Sequence, residues 1–216
     1  LPPLCYKSTR QSRWQQPERQ SVKTGRIGEM GEDLLQYLGP LAALAGVWEG
    51  DKGADVAPDD NRGTEHNPYR ERLTFEPIGP VNNHEQQLYG LRYSLVVFRL
   101  SDGTAFHEES GYWLWDAAAK QVLRCFSVPR GVTVLAGGTV EPDATSFQLA
   151  ADVGSETYGI CSNPFLDREF KTVRFEVTIT VHGPDSFSYH EDTQLKMKGR
   201  SDLFHHTDTN RVTRVR

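Results

Sequence analysis

Residues 40–50 read PLAALAGVWEG, an apolar stretch that leads directly into a short strand in which Trp48 stands between two glycines. A leucine-rich helix precedes this stretch and is predicted to end at Gly39-Pro40, where the helical spacing stops. Trp48 can plug one end of a β-barrel, and a cation from a late strand can lie over its ring. Arg211 and Arg214 are the two candidates for that cation.

The chain after Trp48 alternates apolar and polar residues in short runs that are typical of strands. Tyr69, Glu71, Leu73 and Phe75, for example, share one face of such a run. About ten runs, joined mainly by short turns, predict an all-β, antiparallel up-and-down barrel that closes its own edges and leaves room for one ligand. An acidic loop is expected over residues 51–66, and a small helical insertion over residues 162–170.

Composition and charge bound the function classes. The 216 residues suit one barrel domain over 29–216, with a polar, poorly structured extension over 1–28. A net charge of −5 without a basic block disfavours nucleic acid as a partner. No apolar run approaches the ~18 residues of a membrane span. Three distant cysteines without a CxxC pair favour a reducing, cytoplasmic location, and a homodimer remains open.

A histidine and a carboxylate lie two residues apart in the segment AFHEESGYW, residues 105–113. His107, Glu109 and Gly111 share one face of this predicted strand. Burial of that face would be costly without partners and would therefore imply a purpose. Periodicity alone favours the other arrangement, in which both polar side chains point to solvent.

A second group of histidines lies near the C-terminus. His205 and His206 are neighbours on a strand and must point to opposite faces, so one of them is expected to point inward. A single imidazole above an apolar cavity is what an axial haem ligand requires. A mononuclear metal site is the less favoured reading, because HxH and HExxH spacings are absent; its candidate ligands are His190, Glu191, His206 and Asp208.

Three segments together resemble the nitrobindin family of fatty-acid-binding-protein-like barrels. PLAALAGVWEG is similar to the start of the family's first strand, with its GxWxGxG motif. AFHEESGYW is similar to the family's H-x-E-S-G-Y segment, and LFHH resembles the place of the haem-ligating histidine. The third glycine of the first motif is replaced by Lys52, and Gly53 follows one step late.

The resemblance implies a ten-stranded calycin-like barrel that binds ferric b-type haem through one histidine. By position, His206 would be the proximal ligand and His205 the alternative. His107 would lie near the haem, and Trp48 is included among the cofactor-binding residues although a structural plug is its favoured role. The family's open iron site implies nitric oxide binding and isomerisation of peroxynitrite to nitrate, which would make the protein an enzyme if haem is bound.

Two other functions remain open at this stage. A carrier of fatty acids or other small hydrophobic molecules would need a polar anchor inside the barrel, such as Arg92, Arg124 or Tyr189. A scaffold barrel without ligand would need an interior filled by side chains. The aromatic residues available to fill it are Trp113, Trp115, Phe126, Phe175 and Phe187.

Overall fold

The computed structural model describes residues 33–215, so the extension predicted over residues 1–28 lies outside the described residues. A 3₁₀ helix, Gly39–Leu44, precedes the first strand, and the short helix α1, Pro164–Glu169, follows the eighth. No helix in the described part of the chain is long and apolar enough to cross a membrane. The strands are β1 Gly46–Pro58, β2 Thr64–Asn83, β3 Gln86–Arg99, β4 Ala105–Asp116, β5 Gln121–Val128, β6 Val132–Thr139, β7 Ser146–Val153, β8 Gly159–Ser162, β9 Phe170–Gly183, β10 Ser186–Met197 and β11 Phe204–Arg214.

The eleven strands form one closed barrel in the order β1-β11-β10-β9-β7-β8-β6-β5-β4-β3-β2. Neighbours are antiparallel except for the short parallel pair of β7 and β8. The predicted all-β antiparallel barrel is confirmed, with β8 as one strand more than the ten expected. The predicted insertion over residues 162–170 contains α1, whose N-cap Asn163 accepts hydrogen bonds from the backbone of Phe165 and Leu166.

The helical residues 33–35 end before Gly39, as predicted, and Pro40 occupies the first turn of the separate 3₁₀ helix, where its missing N–H costs nothing. Another local prediction is wrong. Residues 51–66 do not form a loop: β1 and β2 continue as a hairpin almost to its tip, with Asp55 paired to Asn67. The acidic composition of this segment concealed its strand character.

A bulge in β1 changes which residues of that strand face the interior. The register of β1 against β2 shifts between Gly50 and Gly53, so Trp48 and Asp55 are both buried although an odd offset along a regular strand would place them on opposite faces. Gly53 lies against the ring of Tyr69, where a Cβ would be 2.2 Å from a ring carbon. The displaced glycine that distinguishes this chain from the GxWxGxG motif therefore follows the bulge.

The closed end of the barrel is packed around Trp48, which is 1% exposed. Its indole Nε1 donates a hydrogen bond to the carbonyl oxygen of Leu44 at 2.7 Å, and the ring of Phe187 meets it edge-on at 4.9 Å. Of the two candidate cations, Arg214 is the one that lies over the indole, with its Cζ 4.1 Å from the ring centroid. Its guanidinium also donates to the carbonyl oxygens of Ala43 and Pro184.

Replacement of Arg214 by alanine is expected to lower the free energy of unfolding by about 2 kcal/mol, because the cation over Trp48 and several hydrogen bonds are lost together. Urea denaturation followed by tryptophan fluorescence measures the change. Arg211→Ala is the matched control, since Arg211 lies exposed on the same strand and binds Ser186. Equal losses in the two variants would contradict the role assigned to Arg214.

Candidate functional site

The barrel encloses a cavity of about 550 Å³ between the tip of the β1–β2 hairpin and α1. This volume lies within the range of cofactor and ligand pockets. The apolar part of its wall comes from β3, β5, β6, β9 and β10: Leu95, Val97, Phe126, Val134, Phe175 and Leu195. The polar part of its wall comes from β1, β4, β10 and β11: Asp55, His107, Glu109, Glu191, His206 and Asp208. The cavity therefore suits an amphipathic ligand.

His206 projects from β11 into the cavity, and two carboxylates flank its ring. Nε2 of His206 lies 2.8 Å from Oδ1 of Asp55 and 3.5 Å from Oδ2 of Asp208. Burial is the largest effect and lowers the pKa of His206, but the hydrogen bond to Asp55 and the charges of Asp208 and Asp55 together outweigh it, so the pKa is raised overall. Burial raises the pKa of Asp208 to about 7, and the neighbouring charge of Asp55 adds to this. The charge of this group therefore changes near neutral pH.

A chain of polar side chains orients Asp55, which is 4% exposed. Its second oxygen, Oδ2, accepts a hydrogen bond from the amide nitrogen of Asn67 at 2.8 Å. The amide oxygen of Asn67 accepts in turn from Arg99 at the mouth of the cavity, at 2.7 Å. Asn67 thus fixes one oxygen of Asp55, and the other oxygen faces His206. A carboxylate held in this way fixes the orientation of a ligating imidazole.

Arg124 lies beneath the cavity and is 3% exposed. Its guanidinium binds Glu109 and Glu191, each at 2.7 Å, and stacks over the ring of Phe126 at 4.4 Å. Burial alone would raise the pKa of Glu109, but the charge of Arg124, together with His107 and the hydroxyl of Tyr93, lowers it to about 2. Burial raises the pKa of Glu191, against the attraction of Arg124. The cation is therefore fully committed to protein carboxylates.

His107 and Glu109 face the interior, so the expectation of an outward face is wrong. Glu109 is 7% exposed, and Nε2 of His107 lies 3.2 Å from Oε1 of Glu109. The ion pair with the buried guanidinium of Arg124 offsets the cost of burying this carboxylate. Burial is the largest effect and lowers the pKa of His107, but the hydrogen bond to Glu109 and the charges of the surrounding carboxylates together raise it overall.

A second buried carboxyl group, Glu71, lies below the polar wall and is 3% exposed. Its two oxygens lie 2.9 and 3.0 Å from the hydroxyl of Tyr189, and Asn210 donates to one of them at 2.7 Å. The hydroxyl of Tyr189 lies 2.7 Å from that of Tyr69. Burial raises the pKa of Glu71 to about 8, so this group is mostly protonated at neutral pH.

The structure separates the residues singled out in the sequence. His206 and His107 face the cavity, whereas His205 points outward and binds Asp192 at 2.8 Å. Trp48 packs in the closed end and is not among the residues that line the cavity, which agrees with the structural role favoured for it. His190 is exposed and does not lie with the other candidate metal ligands that the sequence suggested.

Asp55 is the residue at the centre of the site that sequence reasoning missed. It was expected in a loop, and counting residues from Trp48 along β1 would have placed it outside the barrel. A usable signal was present: Asp55 follows Gly53, the glycine displaced from the motif, and two polar residues before it mark the bulge. Alternation counted from Gly53 instead of Trp48 points Asp55 inward.

Comparison with known proteins identifies a family that the chain matches over most of its length. A family model with the description "THAP4-like, heme-binding beta-barrel domain" matches residues 37–214. The solved structure of Rv2717c from M. tuberculosis superposes with a TM-score of 0.60 at 23% identity, covering 85% of this chain and 98% of that chain. This similarity supports the fold. Among curated proteins, none matches the chain.

Replacement of Glu71 by glutamine is expected to remove a pH dependence of stability. The folded carboxyl group, with a pKa of about 8, keeps a proton that the unfolded chain releases above its ordinary value of 4.5. The free energy of unfolding of the wild type should therefore fall, relative to Glu71→Gln, as the pH rises from about 5 to about 8. Urea denaturation across this range measures the difference.

The exposed Glu76 on the outer face of the same strand provides the control, Glu76→Gln. Its stability difference from the wild type should stay constant over the same pH range. A constant difference for Glu71→Gln as well would show that Glu71 is ionised in the folded protein.

Proposed function

Because the chain belongs to the family of THAP4-like haem-binding β-barrel domains, we propose that it binds haem in its cavity with the imidazole of His206 as the axial ligand. The observation that carries the proposal is the position of His206, which projects from the last strand into the cavity with Asp55 2.8 Å from its Nε2. Haem-binding family membership alone does not identify the ligand or the reaction.

The residues of the cavity fit haem in volume, surface and donor chemistry. The apolar wall can face the ring, and a cavity of about 550 Å³ is of cofactor size. An imidazole paired with a carboxylate is the usual form of a metal-binding histidine. In the structure this pairing uses Nε2, so an axial bond requires either Nδ1 or the exchange of the hydrogen bond to Asp55.

Charge favours one orientation of the ligand. Asp55, Glu109, Glu191 and Asp208 make the inner part of the lining acidic and would repel carboxylate substituents. Nearer the mouth the lining is mixed, because Arg99 and Arg130 lie there together with the carboxylates of the hairpin tip. We expect the propionates at the mouth, where these two cations are available. His107 is the second imidazole on the lining and would offer a hydrogen bond to a propionate or to a small ligand.

Bound haem would supply an iron centre for reversible nitric oxide binding and for isomerisation of peroxynitrite to nitrate, the chemistry implied by the family resemblance. The protein itself would supply three things. His206 provides the donor, Asp55 and Asn67 orient it, and the apolar part of the cavity wall limits contact with water. An enzymatic role depends on this haem proposal.

The alternative functions have less support. Arg92 is exposed on the outer surface, Arg124 is held by two carboxylates, and Tyr189 is hydrogen-bonded to Glu71. The anchors considered for a fatty-acid carboxylate are thus outside the barrel or already engaged. A barrel filled by side chains is disfavoured by the volume of the cavity. Of the five aromatic residues considered for that role, Phe126 and Phe175 line the cavity, the other three are buried away from it, and about 550 Å³ stays open.

A reducing, cytoplasmic location forms part of the same proposal. Cys125 and Cys161 are free thiols, and the sulfhydryl of Cys125 donates a hydrogen bond to a backbone carbonyl oxygen. Unpaired cysteines are the ordinary state of proteins in reducing compartments.

Titration of the protein with haemin should produce a Soret band that is lost in His206→Ala, because the axial donor is removed. His205→Ala is the matched control: its imidazole is adjacent in sequence, points outward and should not affect the band. Asp55→Asn should keep the band and weaken haem affinity by roughly 10- to 100-fold, as expected for the orienting partner of a ligand.

Two results would count against this assignment. Loss of the band in His205→Ala with retention in His206→Ala would transfer the axial role to the other histidine. Absence of a band in the wild type, together with acyl chains in native mass spectra of the purified protein, would favour the lipid carrier.

A further inference from the structure

Three metal-binding side chains converge at one point of the cavity wall. Donor atoms of Asp55, His206 and Asp208 all lie within 4.8 Å of one another. The distances from Nε2 of His206 are 2.8 Å to Asp55 and 3.5 Å to Asp208. Neighbouring ligands of a tetrahedral Zn²⁺ ion with bonds of about 2.1 Å are separated by about 3.4 Å, so small side-chain movements would bring all three atoms to one ion.

The barrel holds this group on rigid strands rather than on loops. Asp55 of β1 is paired directly with Asp208 of β11, and His206 lies two residues from Asp208 on the same inward face. The bulge in β1 is what turns Asp55 toward this face. Asn67 holds the outer oxygen of Asp55 and leaves the inner one directed at His206. The donors are thus oriented in advance, as a metal site requires.

The charges of the group are not balanced within it. Asp55 and Asp208 share the single imidazole of His206, which even when protonated would carry one positive charge against two carboxylates. Arg124, the cation beneath the cavity, is committed to Glu109 and Glu191. A bound dication would supply the missing charge at the point where the three donors meet.

We propose that Asp55, His206 and Asp208 bind one divalent transition-metal ion of the Zn²⁺, Mn²⁺ or Fe²⁺ class when haem does not occupy the cavity. One imidazole and two carboxylates form a mixed donor set that suits first-row divalent ions. The three donors leave coordination positions open toward the cavity, where water or a small anionic ligand would complete the shell. The structure thus adds Asp55 to the sequence-derived set and removes His190 and Glu191 from it.

This site does not rest on the proposed haem function, although both use His206. The metal ion would take Nε2 and lie in the cavity that haem would fill, so the metal ion and haem should compete. The haem proposal does not need Asp208, and the metal proposal does not need the apolar wall. Asp208 is therefore the residue at which the two proposals diverge.

Isothermal titration of the haem-free, full-length protein with Zn²⁺ tests the proposal. One equivalent should bind to the wild type, and Asp208→Asn and His206→Gln should each weaken its affinity by about tenfold or more, because each removes a direct ligand. Titration with Co²⁺ gives a second readout: its visible absorption bands should change on binding to the wild type and not in His206→Gln. Circular dichroism verifies that each variant is folded.

Two matched controls isolate the three donors. Asp60→Asn removes a carboxylate from the cavity lining outside the group, and His205→Gln removes the adjacent, outward imidazole. Both should retain the wild-type affinity for Zn²⁺. The proposal is overturned if the wild type takes up no Zn²⁺, or if folded Asp208→Asn and His206→Gln both bind it as tightly as the wild type.

Haemin titration of the same variants keeps the two proposals distinguishable. The metal proposal is judged on Zn²⁺ binding in the absence of haem, and the haem proposal on the Soret band. Asp208→Asn is expected to lose Zn²⁺ and to keep the Soret band. Saturation of the wild type with Zn²⁺ beforehand should raise the haemin concentration needed for half-maximal absorbance.

Discussion

The ion pairs of Arg124 divide the interior of the barrel in two. A guanidinium that is 3% exposed must be fully paired, and Glu109 and Glu191 both turn inward to meet it. Aromatic rings, including that of Phe126, cover its faces. Below this layer the barrel is packed around Trp48, and above it the cavity stays open. The carboxylates that stabilise Arg124 therefore also form the acidic wall of the site.

One pair of strands connects the packed end with the site. β1 and β11 close the barrel, and their register pairs Trp48 with Arg214 at one end and Asp55 with Asp208 at the other. The bulge between these two pairs reverses the inward face of β1. A straight strand would turn Asp55 to solvent and leave His206 without its partner. The bulge is thus the backbone feature on which the polar site depends.

Haem and a divalent ion would use the same imidazole in different surroundings. Haem needs the apolar wall and positive charge at the mouth, which Arg99 contributes. A metal ion needs the converging oxygens of Asp55 and Asp208. The interior is more acidic than a simple carrier of anionic lipids would require, because Arg124 is already neutralised. These carboxylates are therefore the feature of this barrel that most restricts its ligands.

The class of fold and part of the site can be predicted from the order of residues alone. Alternation in runs such as Tyr69 to Phe75 established the strands, and the neighbouring positions of His205 and His206 required that only one of them face inward. The glycine-flanked Trp48 marked the closed end. These features depend on the local spacing of residues, which can be obtained from the sequence without any knowledge of tertiary contacts.

Asp55, His107 and Glu109 point inward because of contacts with other strands, which the local sequence does not contain. A buried carboxylate is stable or unstable according to its partner, and Arg124 lies 15 residues from Glu109 while Asp55 lies 151 from His206. Periodicity cannot register a one-residue bulge or a cation from another strand. The sequence thus identified a barrel with an inward histidine, and the closure of the sheet brought the carboxylates to it.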